Sequence, residues 1–191
     1  FEVGTLIKLG LFARFGKKLV VDEEFEQRGA LLRPGHRAHV AADFAFRDGE
    51  IAKRYLALVK GRWRDAKRHV RVPLHKYLLP DGERRVRVDP QGKAAYSIVR
   101  LVTRWENFSL VEVELKTGRT HQIRVHLAHL GFPIAGDDKY GDFALNRDLQ
   151  KAGLKRMFLH AAKLALPHPL SGERLELASP LLAELLAFID T

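Results

Sequence analysis

The side chains best suited to chemistry lie in residues 116–142, where Arg119, Thr120, Gln122 and Arg124 fall within six consecutive positions. Guanidinium, hydroxyl and amide groups donate hydrogen bonds to anions, and the first backbone N–H groups of a helix do the same. If a helix begins at this point, these side chains surround its positive end. The segment therefore predicts a site for an anionic ligand.

The surrounding pattern predicts a strand, a tight turn and a short cationic helix in succession. Residues 111–115 alternate apolar and acidic side chains, which indicates a strand with one buried face. Gly118 belongs to the turn, and residues 119–130 carry apolar side chains at helical spacing. Gly131 suits the position after a helix end. The predicted apolar face consists of Ile123, Leu127 and Leu130.

Four segments carry motifs that follow one another along the chain. Residues 53–61 read K-R-Y-L-A-L-V-K-G, residues 92–94 read G-K-A, and residues 118–142 contain G-R-T-H-Q-I-R. The fourth motif is F-L-H-A at residues 158–161, followed by L-P-H-P at residues 166–169. In this order they closely resemble the K-x-Y-x-A-x-V-x-G, G-K-x-A, R-T-H-Q-I-R and F-L-H-A…H-P elements of the RluA-type pseudouridine synthases, which modify large-subunit ribosomal RNA.

This resemblance implies an α+β fold with a largely antiparallel mixed sheet and flanking helices, incomplete at its N-terminal side. It covers roughly residues 46–190. We therefore divide the chain into an unassigned segment, residues 1–43, and a partial catalytic domain, residues 44–191. The first residue is not methionine, and we interpret the sequence as having a truncated start.

Residue patterns beyond position 50 agree with the implied fold class. They predict strands at residues 70–79, 85–88, 95–99 and 108–115. The strand at residues 85–88 is expected to have one solvent-exposed cationic face. Residues 180–188 predict a closing amphipathic helix with proline in its first turn.

One motif of the family is missing. The resemblance implies H-R-L-D followed by T-S-G upstream, with the aspartate as the nucleophile. The nearest match is H-R-A-H at residues 36–39, which places His39 where the aspartate would stand. No T-S-G follows, and the distance to Tyr55 is too short, so we interpret the match as accidental. No residue is assigned as the nucleophile; the out-of-place acids are Asp22, Asp43 and Asp48.

The resemblance also implies roles for particular side chains, with no metal or organic cofactor. Tyr55 would stack on the target base, Arg124 would pair with the catalytic aspartate, and Ile123 would line the pocket beside them. If Arg124 is buried, either another acid must pair with it or the site must be open to solvent, so that water solvates the charge. We predict phosphate contacts from Lys53, Lys93, Arg119 and the basic residues 62–87.

Composition points to a polyanionic partner. The chain of 191 residues has a formal net charge of +10. Residues 1–43 contribute only +1, whereas residues 62–87 alone contain nine basic and three acidic side chains. RNA is the expected partner, in particular large-subunit ribosomal RNA, and no protein partner is implied. The chain has no cysteine and no apolar run long enough to span a membrane, which is compatible with a reducing cytoplasm.

Two alternatives remain open. The chain could be a catalytically inactive RNA-binding protein derived from this family, keeping the basic groove without the aspartate. A histidine-based metallohydrolase is a weaker hypothesis. It rests on His121, His126 and His129, which do not form an H-E-x-x-H pattern.

Overall fold

The computed structural model describes residues 51–167 and 173–190. The predictions made for the first 50 residues, including the H-R-A-H match and the three acids, lie outside these ranges. Within them, no helix has the length and apolar character needed to cross a membrane. The strands are β1 (Ala52–Lys60), β2 (Lys67–Arg71), β3 (Leu74–Leu78), β4 (Arg84–Val88), β5 (Tyr96–Arg104), β6 (Phe108–Leu115), β7 (Leu159–Pro167) and β8 (Arg174–Ala178). The helices are α1 (Gln122–His129), α2 (Phe143–Lys151) and α3 (Ala183–Ile189).

The main sheet has the strand order β2-β5-β6-β1-β7-β8, and β3 pairs with β4 in a separate hairpin. The pairs β1–β6, β2–β5, β5–β6 and β3–β4 are antiparallel. The described residues divide into two units, of which the larger comprises residues 52–164 and 178–190. The predicted class, α+β with a largely antiparallel sheet, is confirmed.

Strand β1 is covered on both faces, because consecutive apolar side chains point to opposite faces of the sheet and each face packs in its own core cluster. Ala57 and Val59 join a core cluster with Ile123 and Leu127 of α1. Leu58 lies in a second cluster on the other face, together with residues of α2 and α3. This arrangement places α1 on one defined side of the sheet.

Helix α1 is also covered by the β3–β4 hairpin. Its Val125 packs with Leu74 of β3 and Val86 of β4 in a third core cluster. All six residues from Gln122 to Leu127 are buried. The helix therefore lies between the sheet and the hairpin, and its polar side chains have to find protein partners.

Three predicted elements need correction. The strand predicted at residues 70–79 is two strands in different sheets, because Pro73 separates β2 from β3 and has no N–H for a continuous ladder. Helix α1 begins at Gln122 rather than at Arg119. Helix α3 begins at Ala183, so Pro180 precedes its first turn.

Candidate functional site

Gln122 fixes the turn before α1 against the sheet. Its Oε1 accepts from the Arg119 backbone N–H and from Thr117 Oγ1, at 3.0 and 2.8 Å. Its Nε2 donates to the Tyr96 carbonyl and to Ser97 Oγ, at 3.0 and 2.9 Å. The amide is thereby saturated with protein partners, so Gln122 braces the turn and is not available to an anion.

Arg124 is buried and forms an ion pair with Asp137, which lies outside the predicted helix that carries Arg124. Its Nε donates to Asp137 Oδ2 at 2.8 Å and its Nη2 to Asp137 Oδ1 at 2.5 Å. Nη2 also donates to Asp138 Oδ1 at 2.8 Å. Asp137 is 0% exposed, whereas the Asp138 side chain is 78% exposed. Of the two possibilities stated above for a buried Arg124, the structure shows that another acid pairs with it.

The ion pair is held in its charged form. Burial alone raises the pKa of Asp137, but hydrogen bonds from Arg124 and from the backbone N–H groups of Tyr140 and Lys139 outweigh it and lower that pKa. Burial likewise lowers the pKa of Arg124, but the carboxylates of Asp137 and Asp138 together outweigh it and raise that pKa. Both groups are therefore ionised near neutral pH.

The conformation of the loop that carries Asp137 is fixed by contacts with α2 and by a glycine. Asn146 of α2 accepts from the Gly136 N–H and donates to the Asp137 carbonyl, both at 2.8 Å. A Cβ at Gly141 would overlap that same carbonyl oxygen, so the turn requires glycine there. Asp142 then caps α2 by accepting from a backbone N–H of its first turn.

Tyr140 ties this loop to both the hairpin and α1. Its Oη accepts from the Val86 N–H at 2.8 Å and lies 2.9 Å from His121 Nδ1. Burial, followed by the charges of Arg124 and Lys139, lowers the pKa of His121 to about 4. The imidazole is therefore neutral at pH 7 and shares a hydrogen bond with the Tyr140 hydroxyl.

Tyr55 lies on the side of the sheet that α1 covers. It is half-buried on β1 and packs against the core cluster that contains Ile123. Burial raises the pKa of its hydroxyl, which is therefore protonated near neutral pH. Because Arg124 follows Ile123 on the same helix, the structure places all three residues on one side of the sheet.

The residues predicted to contact phosphate are only partly brought together. Lys93 and Arg119 line one pocket with Gly118. A Cβ at Gly118 would lie 3.8 Å from Lys53 Nζ, so Lys53 adjoins that pocket. The basic segment at residues 62–87 instead spreads over β2, β3, β4 and their connections, which belong to two sheets.

Asp137 was not predicted as the partner of Arg124, although the sequence shows an acidic pair at residues 137–138. His126 is also buried, with its ring nitrogens 3.1 Å from Ser97 Oγ and 3.0 Å from the Val72 carbonyl oxygen. Among the residues that the structure describes, no group of three or more His, Asp or Glu side chains is arranged to hold a metal ion.

Comparisons with known proteins agree with these motifs. A family model described as RNA pseudouridylate synthase matches residues 36–129, a range that includes the H-R-A-H match. The chain is 45% identical over 131 residues to ribosomal large subunit pseudouridine synthase C of Yersinia pestis, covering 69% of this chain and 41% of that relative. It is 44% identical over 137 residues to the protein of the same name from Escherichia coli (strain K12), which covers 71% of this chain and 43% of that relative. The chain thus spans about two fifths of the length of these relatives.

A solved structure shows the same relationship in three dimensions. Human RNA Pseudouridylate Synthase Domain Containing 1 superposes with a TM-score of 0.67 at 26% sequence identity. The superposition covers 83% of this chain and 66% of the human one.

Proposed function

We propose, from the premise that the chain belongs to the RNA pseudouridylate synthase family, that it takes part in isomerising uridines of large-subunit ribosomal RNA. The observation that carries this proposal is the placement of Tyr55, Ile123 and Arg124 on one side of the sheet. The reaction breaks the bond between uracil N1 and ribose C1′ and forms a bond between uracil C5 and C1′. The C5 hydrogen leaves as a proton, so no redox partner is needed.

The reaction first requires a base that has left its stack, and Tyr55 is suited to hold it. Extrusion costs a few kcal/mol, and stacking on an aromatic ring contributes about 1–3 kcal/mol per base. The ring of a protonated, half-buried tyrosine offers an uncharged face for this purpose. Ile123, beside it in the same cluster, would exclude water from one edge of the base.

Arg124 is suited to orient the carboxylate that attacks the ribose. Asp137 and Asp138 bind its Nε and Nη2, and no acceptor among the described residues bonds to Nη1. A guanidinium has five N–H donors, so this edge can still bind a further carboxylate. Asp137 would thus act as a positioning residue that fixes the direction of Nη1.

A second candidate is an RNA-binding protein without turnover. It is favoured by the missing H-R-L-D motif and by the pairing of Arg124 with two acids already present. The basic surface and the base-stacking ring would serve RNA binding in either case. In both candidates we place the protein in the cytoplasm, with ribosomal RNA as the partner and no cofactor.

Tritium release separates the two candidates. The full chain is incubated with a large-subunit RNA fragment labelled with tritium at uridine C5, and binding is measured in parallel by fluorescence anisotropy. Tritium released above the level of a heat-denatured sample establishes isomerisation and excludes the second candidate. Binding without release supports the second candidate. Failure to bind the fragment more tightly than a DNA strand of equal length contradicts both.

A further inference from the structure

A basic pocket opens at the base of the β3–β4 hairpin, next to the turns that precede β5 and α1. Its volume is about 520 Å³. Pockets that hold small ligands measure roughly 300–1,000 Å³, so it has the capacity for a nucleotide. None of its lining residues is acidic, and His75, Lys76, Lys93 and Arg119 contribute basic groups.

The walls of this pocket are held by the backbone. Leu74 and Lys93 exchange both backbone hydrogen bonds, at 2.9 and 2.8 Å. A Cβ at Gly92 would overlap the Leu74 carbonyl group, so this close approach of two chain segments requires glycine. Arg119 Nε donates to the Ala94 carbonyl at 3.2 Å. Because these contacts fix the backbone of the walls, a ligand would have to order only side chains such as that of Lys93.

The pocket adjoins the face on which the target base is expected to bind. Gly118 lines the pocket, and a Cβ there would lie 3.8 Å from Lys53 Nζ. Lys53 stands two residues before Tyr55 on β1, so the two side chains project from the same face of the strand, about 7 Å apart. The basic pocket and the Tyr55 ring are therefore neighbours.

We propose that this pocket binds the ribose and phosphate of the nucleotide next to the flipped uridine, with Lys93 and Arg119 on the phosphate. This inference rests on the proposed function, because it requires single-stranded RNA at the Tyr55 face. The volume of the pocket favours a single strand over a duplex, since it has the capacity for one nucleotide.

The test is the binding of pentauridylate to the full chain, measured by fluorescence anisotropy at several salt concentrations. The double variant Lys93→Ala with Arg119→Ala should bind about tenfold more weakly or worse. Its slope of log K against log salt should fall by about 0.7 for each phosphate that the protein no longer neutralises. The matched control, Arg147→Ala with Lys155→Ala, removes two exposed cations outside the pocket and should change the dissociation constant less than twofold.

A steric variant keeps every charge. Gly118→Leu should fold, because only Lys53 Nζ lies within 4 Å of its new Cβ. Its larger side chain should weaken pentauridylate binding severalfold by narrowing the pocket. Wild-type affinity for this variant, or equal losses in the double variant and its control, would overturn the proposal.

Competition identifies the ligand class. Uridine 5′-monophosphate should displace pentauridylate at lower concentration than inorganic phosphate does at equal ionic strength, and equal potency would overturn the nucleotide assignment. All of these measurements report binding, so a chain that binds through the pocket without releasing tritium leaves the inference intact. If the chain releases tritium and the pocket variants bind pentauridylate as tightly as the wild type, the pocket proposal is wrong and the proposed function stands.

Discussion

Asp137→Asn should destabilise the protein far more than an ordinary loss of a carboxylate. The substitution removes the negative charge opposite a buried guanidinium and leaves Arg124 with only Asp138, whose side chain is 78% exposed. Breaking a buried ion pair by removing one partner costs about 3–5 kcal/mol. The amide oxygen of asparagine can still accept hydrogen bonds from the donors that Asp137 binds, so we expect the lower end, about 3 kcal/mol. That value corresponds to about a hundredfold change in the unfolding equilibrium.

The assay is urea unfolding at pH 7, followed by circular dichroism. The control is Asp148→Asn, which removes a carboxylate whose side chain is 75% exposed and pairs with an exposed lysine. Its unfolding midpoint should stay within experimental error of the wild type. In a double-mutant cycle, Arg124→Met combined with Asp137→Leu should cost less than the two single changes added together. A loss below about 1 kcal/mol for Asp137→Asn would refute the assignment of a buried, charged pair.

Three further predictions concern Tyr55, His121 and Gly92. Tyr55→Leu should weaken the binding of uridine-containing RNA by about 1–3 kcal/mol, whereas Tyr55→Phe should bind like the wild type; equal losses would show that the ring does not stack. His121 has a folded-state pKa of about 4, below its unfolded value, so the unfolded chain binds more protons between about pH 6.5 and 4. The free energy of unfolding should therefore fall as pH falls through that window, and His121→Gln should flatten the slope; an unchanged slope contradicts the assignment. Gly92→Ala should cost about 1–3 kcal/mol in urea unfolding because its Cβ meets the Leu74 backbone. Gly118→Ala meets no such obstacle and should be near neutral; similar losses for both would refute the reasoning.

Strands were the most predictable part of the fold, because alternation is a local property. Val111 and Val113 face one core cluster, as the pattern at residues 111–115 indicated. The alternating acid Glu114 is nevertheless buried, since Arg100 and Lys116 pair with it. Periodicity alone does not show which basic side chain will pair with a strand carboxylate, because partners such as Arg100 come from a neighbouring strand.

The hairpin was mispredicted because a local pattern does not assign a strand to a sheet. Residues 70–79 have a continuous strand-like pattern, but the chain leaves the main sheet at Pro73 and starts a separate pair with β4. The same division separates the basic residues 62–87, which a linear count treats as a single patch. Their distribution depends on tertiary structure.

Motifs in the sequence suggest candidate residues for the site, but they do not indicate how those residues pair. Motif resemblance selected Tyr55, Ile123 and Arg124, and the structure places them on one side of the sheet. The partner of Arg124 stands 13 positions further along the chain, in a loop whose shape depends on Asn146. A pairing of this kind follows only from the folded chain.

Photocrosslinking tests the central claim most directly, namely that Tyr55 and Arg124 lie at the same bound nucleotide, with the Tyr55 ring on its base. The full chain is irradiated with an RNA fragment in which 4-thiouridine replaces uridine, and the adducts are located by mass spectrometry. We expect adducts at Tyr55 that disappear in Tyr55→Leu and decrease when Arg124 is changed to Met. Adducts confined to the exposed arginines of residues 62–87, with none at Tyr55 or its neighbours on β1 and α1, would contradict the claim.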